Sequence, residues 1–319
     1  MDKLTADQWK QVCNWMYRNA RPVDLARWKY HFENGSSEDV IQCLQAYQNE
    51  DGGFGNALEA DSWNPGSSPY TTSVAVDLLN EVKFKDGAHP LVKGILRYLE
   101  QTNDFTGTHW TAIIPSNNHY PRAPWWTYEE SAVAGWGYMP TARLAGFVLL
   151  YADKESGLYK KAEEIAKEAV DTYINGLMPD GQLYSAVFRE GEVVCMYYLL
   201  ECLEAAGLAD SFNTVELRKT LKNRAGAFIE RDTSKWSQYC YKPSAFVTSP
   251  DCLFYEGNED ITNHELDYIL SKRNPGGVWD IVWSWGAYEK EFSISENWWK
   301  GNLAISNLLL LRSFDRICI

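Results

Sequence analysis

Tyr47-Gln48-Asn49-Glu50-Asp51-Gly52-Gly53-Phe54-Gly55 decides the fold expected of this chain, because it returns in weaker form twice. Met178-Pro179-Asp180-Gly181-Gln182-Leu183-Tyr184 is one echo, and Arg273-Asn274-Pro275-Gly276-Gly277-Val278-Trp279 is the other. Each copy follows a stretch patterned as helix, places small turn-forming residues where that helix must stop, and then supplies an aromatic. A recurring stop signal implies a recurring structural unit. The unit here is a helical hairpin, and the expectation is a closed ring of such hairpins in one all-α domain covering residues 1–319.

Two kinds of helix alternate between the stops. Tyr159 to Val170 and Leu217 to Glu230 carry a charged face and an apolar stripe, the pattern of a helix on the outside of a structure. Leu144 to Leu150, Val193 to Leu200 and Leu303 to Leu311 are apolar on nearly every side and must be enclosed. Their flanks extend the pattern to helical length, and they lack the alternation of a strand. Enclosed and half-exposed helices in alternation make inner and outer rings. Connections from an outer helix to the next inner one are long, roughly residues 49–69, 102–138, 178–188, 232–245 and 274–299. In a ring these gather around the inner-helix N-termini, where free N–H groups and positive dipole ends lie. Long ordered loops are usually functional.

Composition narrows the classes of function. Hydrophobic residues make up 45% of 319, enough for a large core, and 14 Trp, 19 Tyr and 12 Phe exceed what a core needs. Large aromatics also line pockets for sugars, polyenes or cations. A net charge of −13 argues against nucleic acid and against an anionic membrane surface as partners. The start, Met1 to Gln8, has no apolar signal-peptide core, and no apolar run approaches transmembrane length. The seven cysteines are scattered, odd in number and without a CxxC pair, so they read as reduced thiols in a cytoplasmic protein.

The repeated turn resembles the QW-type repeats of class II terpene cyclases and the glycine-rich turns of protein prenyltransferase β subunits. The first copy carries it best, with Gln48 and then Asp51-Gly52-Gly53-Phe54-Gly55. Arg273 stands where the pattern has Gln in the third copy, and the second keeps Asp180-Gly181 and the aromatic Tyr184. Gly53 to Asp61, Tyr120 to Trp126 and Trp298 to Gly301 also resemble bacterial proteins labelled prenyltransferase-like or squalene-cyclase-like. The resemblance implies an (α/α)6 toroid and chemistry on an apolar, isoprenoid substrate. The DxDD acid motif of the cyclases is missing. The zinc set of the β subunits has only Asp251, Cys252 and His264 as counterparts, at the wrong spacing.

Glu59-Ala60-Asp61 is the leading catalytic candidate. In extended backbone residues i and i+2 project to one side, and two such carboxylates would hold one proton near neutral pH. That proton could be given to an alkene, an epoxide or a glycosidic oxygen. The alternative is that both carboxylates cap helices or bind backbone N–H groups. Trp63, His109, Trp110, Arg122, Trp125, Trp126 and Glu129 are candidates to bind substrate from the first two loops, with Tyr184 from the third. Trp283, Trp285 and Trp298 are candidates from the last. Trp279, Ile281, Trp283 and Trp285 share one side if extended, with Asp280 opposite. The alternative for these aromatics is a packed cover over helix ends. Glu192 opens a helix and reads as a complement to its dipole, and His264 as a surface residue.

The expected partner is a small apolar molecule, protonated by Glu59 or Asp61 in an aromatic-walled pocket. A sugar lyase or hydrolase, or a non-catalytic binding module, would use the same residues. The sequence calls for no cofactor: it has no dinucleotide fingerprint, GKS loop or GxSxG elbow, and it leaves a metal open.

Overall fold

The computed structural model describes residues 2–178, 181, 183–184 and 189–318, without the side chains of Ala134 and Arg189. Eleven α-helices lie among them: α1 (Ala6–Asn19), α2 (Pro22–Phe32), α3 (Ser37–Gln45), α4 (Pro69–Glu81), α5 (Pro90–Gln101), α6 (Thr141–Tyr151), α7 (Gly157–Asn175), α8 (Arg189–Ala205), α9 (Thr214–Phe228), α10 (Glu259–Ser271) and α11 (Glu289–Ser313). Among the described residues the only β-pairing is isolated bridges, so the chain is all-α. None of these helices is long and apolar enough to cross a membrane. The chain divides into two compact units, one of Met1–Leu44 with Gly226–Ile319, the other of Gln45–Ala225.

Helix starts follow local chemistry. Thr5 and Gln8 form a capping box at α1. Ser68 accepts the Thr71 N–H at α4, where Pro69 supplies a preset φ, and Ser156 does the same for Tyr159 at α7. In the second unit α6 is buried from Thr141 to Leu149 and packs between α7 and α8, as an enclosed helix must. In the first unit Val12, Met16, Trp28, Leu266, Trp279, Ile305 and Leu308 form the core. There residues 2–4 also pair with 316–318, through the bridge Leu4↔Ile317 and an Arg316 Nε bond to the Asp2 carbonyl at 2.6 Å.

The repeated turn is one geometry. Gln48 Nε2 donates to the carbonyl of Gly52 at 2.9 Å, and Arg273 Nε donates to that of Gly277 at 2.8 Å. Asn49 N–H meets Gly53 O at 2.9 Å, and Asn274 N–H meets Val278 O at 2.7 Å. Gly52 at φ +95° and Gly277 at φ +88° occupy the same left-handed position, where a side chain is strained. A Cβ on Gly52 would also sit 2.1 Å from Gly94 O on α5. The second copy keeps the left-handed glycine, Gly181 at φ +83°, while Pro179, Asp180 and Gln182 lie outside the described residues. Its register corrects the sequence alignment. The bridge Leu177↔Leu183 matches Gln48↔Phe54, so Leu183 takes the place of Phe54 and Tyr184 that of Gly55.

The helix ends that precede these turns are closed by side chains. Trp110 Nε1 donates to Leu99 O at 3.2 Å, Trp279 Nε1 to Ile269 O at 2.8 Å, and Arg224 Nη2 to Tyr173 O at 2.6 Å. In α5, α10 and α7 alike, that carbonyl belongs to the residue two before the last. Such carbonyls have no partner within the helix. The turn after α5, with Gly107 at φ +100° and the bridge Phe105↔Trp110, is tighter than the repeat and closes through the Thr106 N–H on His109 O at 2.9 Å.

Two expectations need correcting. Residues 243–257 contain a short 3-10 turn, Pro243–Ala245, and no α-helix. Pro243, Pro250 and Gly257 at φ +85° break the segment, and Glu265 of α10 holds it by accepting the Ser244 N–H at 2.6 Å. The last connection ends at residue 288 rather than 299, because α11 starts at Glu289, so Trp298 and Trp299 stand on a helix.

Two substitutions check this account. Gly52→Ala is expected to destabilise by about 2–4 kcal/mol, since it combines a left-handed strain with a backbone clash. Trp279→Phe loses the helix-end bond and the five-membered half of a buried indole, and is expected to cost about 2–3 kcal/mol. Urea unfolding monitored by circular dichroism measures both.

Candidate functional site

In the second unit, the segments that precede α4, α6 and α8 are sewn to one another. Trp63 N–H donates to Pro121 O at 3.0 Å, Ala123 N–H to Asp61 O at 2.9 Å, and Asn64 Nδ2 to Asn117 Oδ1 at 2.9 Å. The second segment meets the third at Tyr138, whose N–H lies 3.1 Å from Glu192 Oε1 on α8 and 3.2 Å from the Tyr184 hydroxyl. Three loops thus gather at the N-terminal ends of α4, α6 and α8.

Glu59 and Asp61 are buried in this cluster. The backbone there is turn rather than extended, so the same-side argument for residues i and i+2 does not apply. Glu59 Oε1 instead accepts the N–H of Asp61 at 3.2 Å. Glu59 also lies close enough to Tyr70, on the first turn of α4, to disfavour its ionisation. Burial first, and then that carboxylate, push the phenol well above its ordinary range.

Tyr70 is the centre of an aromatic wall. Its ring centroid is 4.3 Å from Trp126 and 5.7 Å from Trp136, and the two tryptophans stack at 4.9 Å. Tyr70 itself is half-buried, while both tryptophans are buried. The Trp126 Nε1 donor meets no acceptor among the described residues. Farther along, the buried Arg143 of α6 pairs with Asp77 of α4 at 3.2 Å, and its Nε meets no acceptor among the described residues. Each such buried donor costs roughly 1–3 kcal/mol while unpaired.

The sequence-derived candidates divide by role. Trp110 is buried with its indole committed to the end of α5. Arg122 braces its own loop, through Thr127 Oγ1 at 3.1 Å and the Tyr120 carbonyl at 3.1 Å. Trp63 and Trp125 are half-buried and Glu129 is exposed. His109 stacks on Tyr138 at 4.7 Å, and burial pushes its pKa down. In the first unit, Trp279, Ile281, Trp283 and Trp285 point inward while Asp280, Val282, Ser284 and Gly286 are exposed. Trp283 packs against Trp299 at 5.4 Å, Trp285 against Phe292 at 5.7 Å, and Arg21 lies over Trp298 at 5.2 Å.

Sequence inspection passed over Tyr138, Tyr70 and Arg143, and it read Glu192 only as a complement to its helix dipole. Burial raises the Glu192 carboxyl to about 7, against the opposing pull of the Tyr138 N–H and Arg224. The Tyr138 hydroxyl donates to Glu168 Oε1 at 3.1 Å and lies 3.1 Å from the Thr172 hydroxyl, which can donate to it. Arg143 had a visible signal as a charge heading an otherwise apolar run. Among the described residues no cluster of His, Cys, Asp and Glu is arranged to hold a metal. No family model, curated protein or solved structure matches this chain.

Glu192 gives this site a pH signature. Its folded pKa is above the unfolded value, so its contribution to stability is full below about 4.5 and is lost as pH rises through about 7. Glu192→Gln should flatten the loss between those limits, by up to roughly 3 kcal/mol. Thermal melts of both proteins across that range measure it.

Proposed function

We propose that the protein is a terpene-cyclase- or prenyltransferase-like enzyme that protonates an apolar, isoprenoid substrate. The observation that carries this is the aromatic wall of Tyr70, Trp126 and Trp136 with the buried Glu59 carboxyl beside it. Glu59 and Asp61 are the proposed acids. The ring faces stabilise positive charge on the substrate as it forms, since their quadrupoles attract cations. Glu192, poised at about 7, is a second group able to exchange a proton at neutral pH. The (α/α)6 ring belongs to this proposal, supported by the recurring turn and by the alternation of enclosed and half-exposed helices.

A carbohydrate substrate is the second reading, favoured by a different observation. A groove of about 460 Å³ on the second unit is lined by Glu168, Asp171, Thr172, Asn175, Leu177 and Met178. Carboxylates, an amide and a hydroxyl beside two apolar side chains suit a sugar.

Product analysis by gas chromatography–mass spectrometry, after incubation with linear polyprenyl substrates and with oligosaccharides, separates the two. Cyclised or rearranged polyprenyl products are expected, with Glu59→Gln or Asp61→Asn lowering turnover at least about 100-fold. Both variants should keep the far-UV circular dichroism of the parent, so that lost turnover reports on the carboxyl group rather than on the fold. Full turnover in both variants removes the acid assignment, and cleaved oligosaccharide with no polyprenyl product transfers the assignment to the sugar.

A further inference from the structure

The groove of about 460 Å³ on the second unit runs along the end of α7. Its volume is in the range of small-molecule sites, roughly 300–1,000 Å³. Glu168, Asp171, Thr172 and Asn175 stand three, one and three residues apart, so they form a single stripe over the last turns of the helix. The stripe is anchored from outside: the Tyr138 hydroxyl donates to Glu168 Oε1 at 3.1 Å and lies 3.1 Å from Thr172 Oγ1. Leu177, 42% exposed, and Met178 complete the lining with apolar surface just past the helix.

Charge decides what such a groove takes. A helix C-terminus is the negative end of the dipole and is normally complemented by bases. The end of α7 has the opposite arrangement, with two carboxylates and no base in its last turn. Neither Glu168 nor Asp171 forms an ion pair among the described residues. The cations around them are engaged otherwise. Arg224 Nη2 donates to the Tyr173 carbonyl at 2.6 Å and its guanidinium lies over the Tyr173 ring, while Lys161 lies over Phe105 at 3.2 Å. His109, stacked on Tyr138, is pushed toward its neutral form by burial. The groove is therefore short of positive charge, and among the described residues no set of ligands is arranged for a metal ion, which leaves an organic cation. An amide, a hydroxyl and an apolar edge beside the carboxylates suit a polyhydroxylated one. We propose that the groove binds an amino sugar, its ammonium held by Glu168 and Asp171, its hydroxyls by Thr172 and Asn175, and an apolar ring face by Leu177 and Met178. The proposal rests on the carbohydrate reading of this groove and names the sugar.

Three disaccharides that differ only at the C2 substituent test it on the intact chain by calorimetric titration at pH 6. They are the glucosamine dimer with free amines, cellobiose with hydroxyls, and the N-acetylated dimer. The free amine is expected to bind at least about tenfold more tightly than either neutral sugar, as for charge-assisted hydrogen bonds, and to lose most of that preference in 1 M salt. Asp171→Asn and Glu168→Gln keep shape and hydrogen-bonding capacity and remove one charge each. Together they should narrow the amine-over-hydroxyl gap to about threefold or less. If the double variant fails to fold by circular dichroism, Asp171→Asn, at an exposed position, decides alone by narrowing the gap at least about threefold. Equal binding of the three sugars, tighter binding of a neutral one, binding of none, or an unchanged gap in the variants overturns the proposal. Cleavage of neutral oligosaccharides without any preference for the amine would keep the carbohydrate reading and sink this inference. Tight binding of the amine without cleavage would do the reverse.

Discussion

Carbonyls left open at helix C-termini are the constraint around which this chain is organised. A helix cannot satisfy its last carbonyls by itself, and a short connection has few donors to offer. The chain meets the demand with a left-handed glycine and a long donor side chain. Trp110, Trp279 and Arg224 each reach the carbonyl two residues before a helix ends. Gln48 and Arg273 close the turn itself, on Gly52 and Gly277. With its end fixed, a helix hands the chain on in a set direction. The long segment that follows then starts from a rigid base.

That rigidity governs what the loops of the second unit can hold. The segment around residues 58–64 lies against residues 116–123 through backbone and Asn64 bonds. Tyr138 connects the same loop to α8 through Glu192 and to α7 through Glu168 and Thr172. Groups that would be costly to bury alone, such as the carboxyls of Glu59, Asp61 and Glu192, are tolerated because the scaffold is held by independent bonds. Strained or desolvated groups persist only where surrounding structure over-determines them.

The fold was legible where the physics is local. Helix patterning marked α6 and α7, and the glycine turns marked the ends of α3 and α10. The failures have equally local causes. Prolines at 243 and 250 outweigh the inner helix expected after residue 245, and nothing between 289 and 302 stops α11, so Trp298 and Trp299 joined a helix instead of a loop. The site was legible only in part. Glu59 and Trp126 stood out by type and neighbourhood, whereas the character of Glu192 comes from Tyr138, 54 residues away in the chain. Arg122 and Trp110 looked like ligand-binding groups, yet their polar atoms serve the loop and the helix end.

The exchange of Gln48 for Arg273 has an evolutionary consequence. Each places a donor nitrogen on the same turn carbonyl, so the turn keeps its shape whether an amide or a guanidinium stands there. Ancestry in such a chain is written in donor positions and glycine signs rather than in residue names. A comparison scored on those features would trace kinship after identity has worn away.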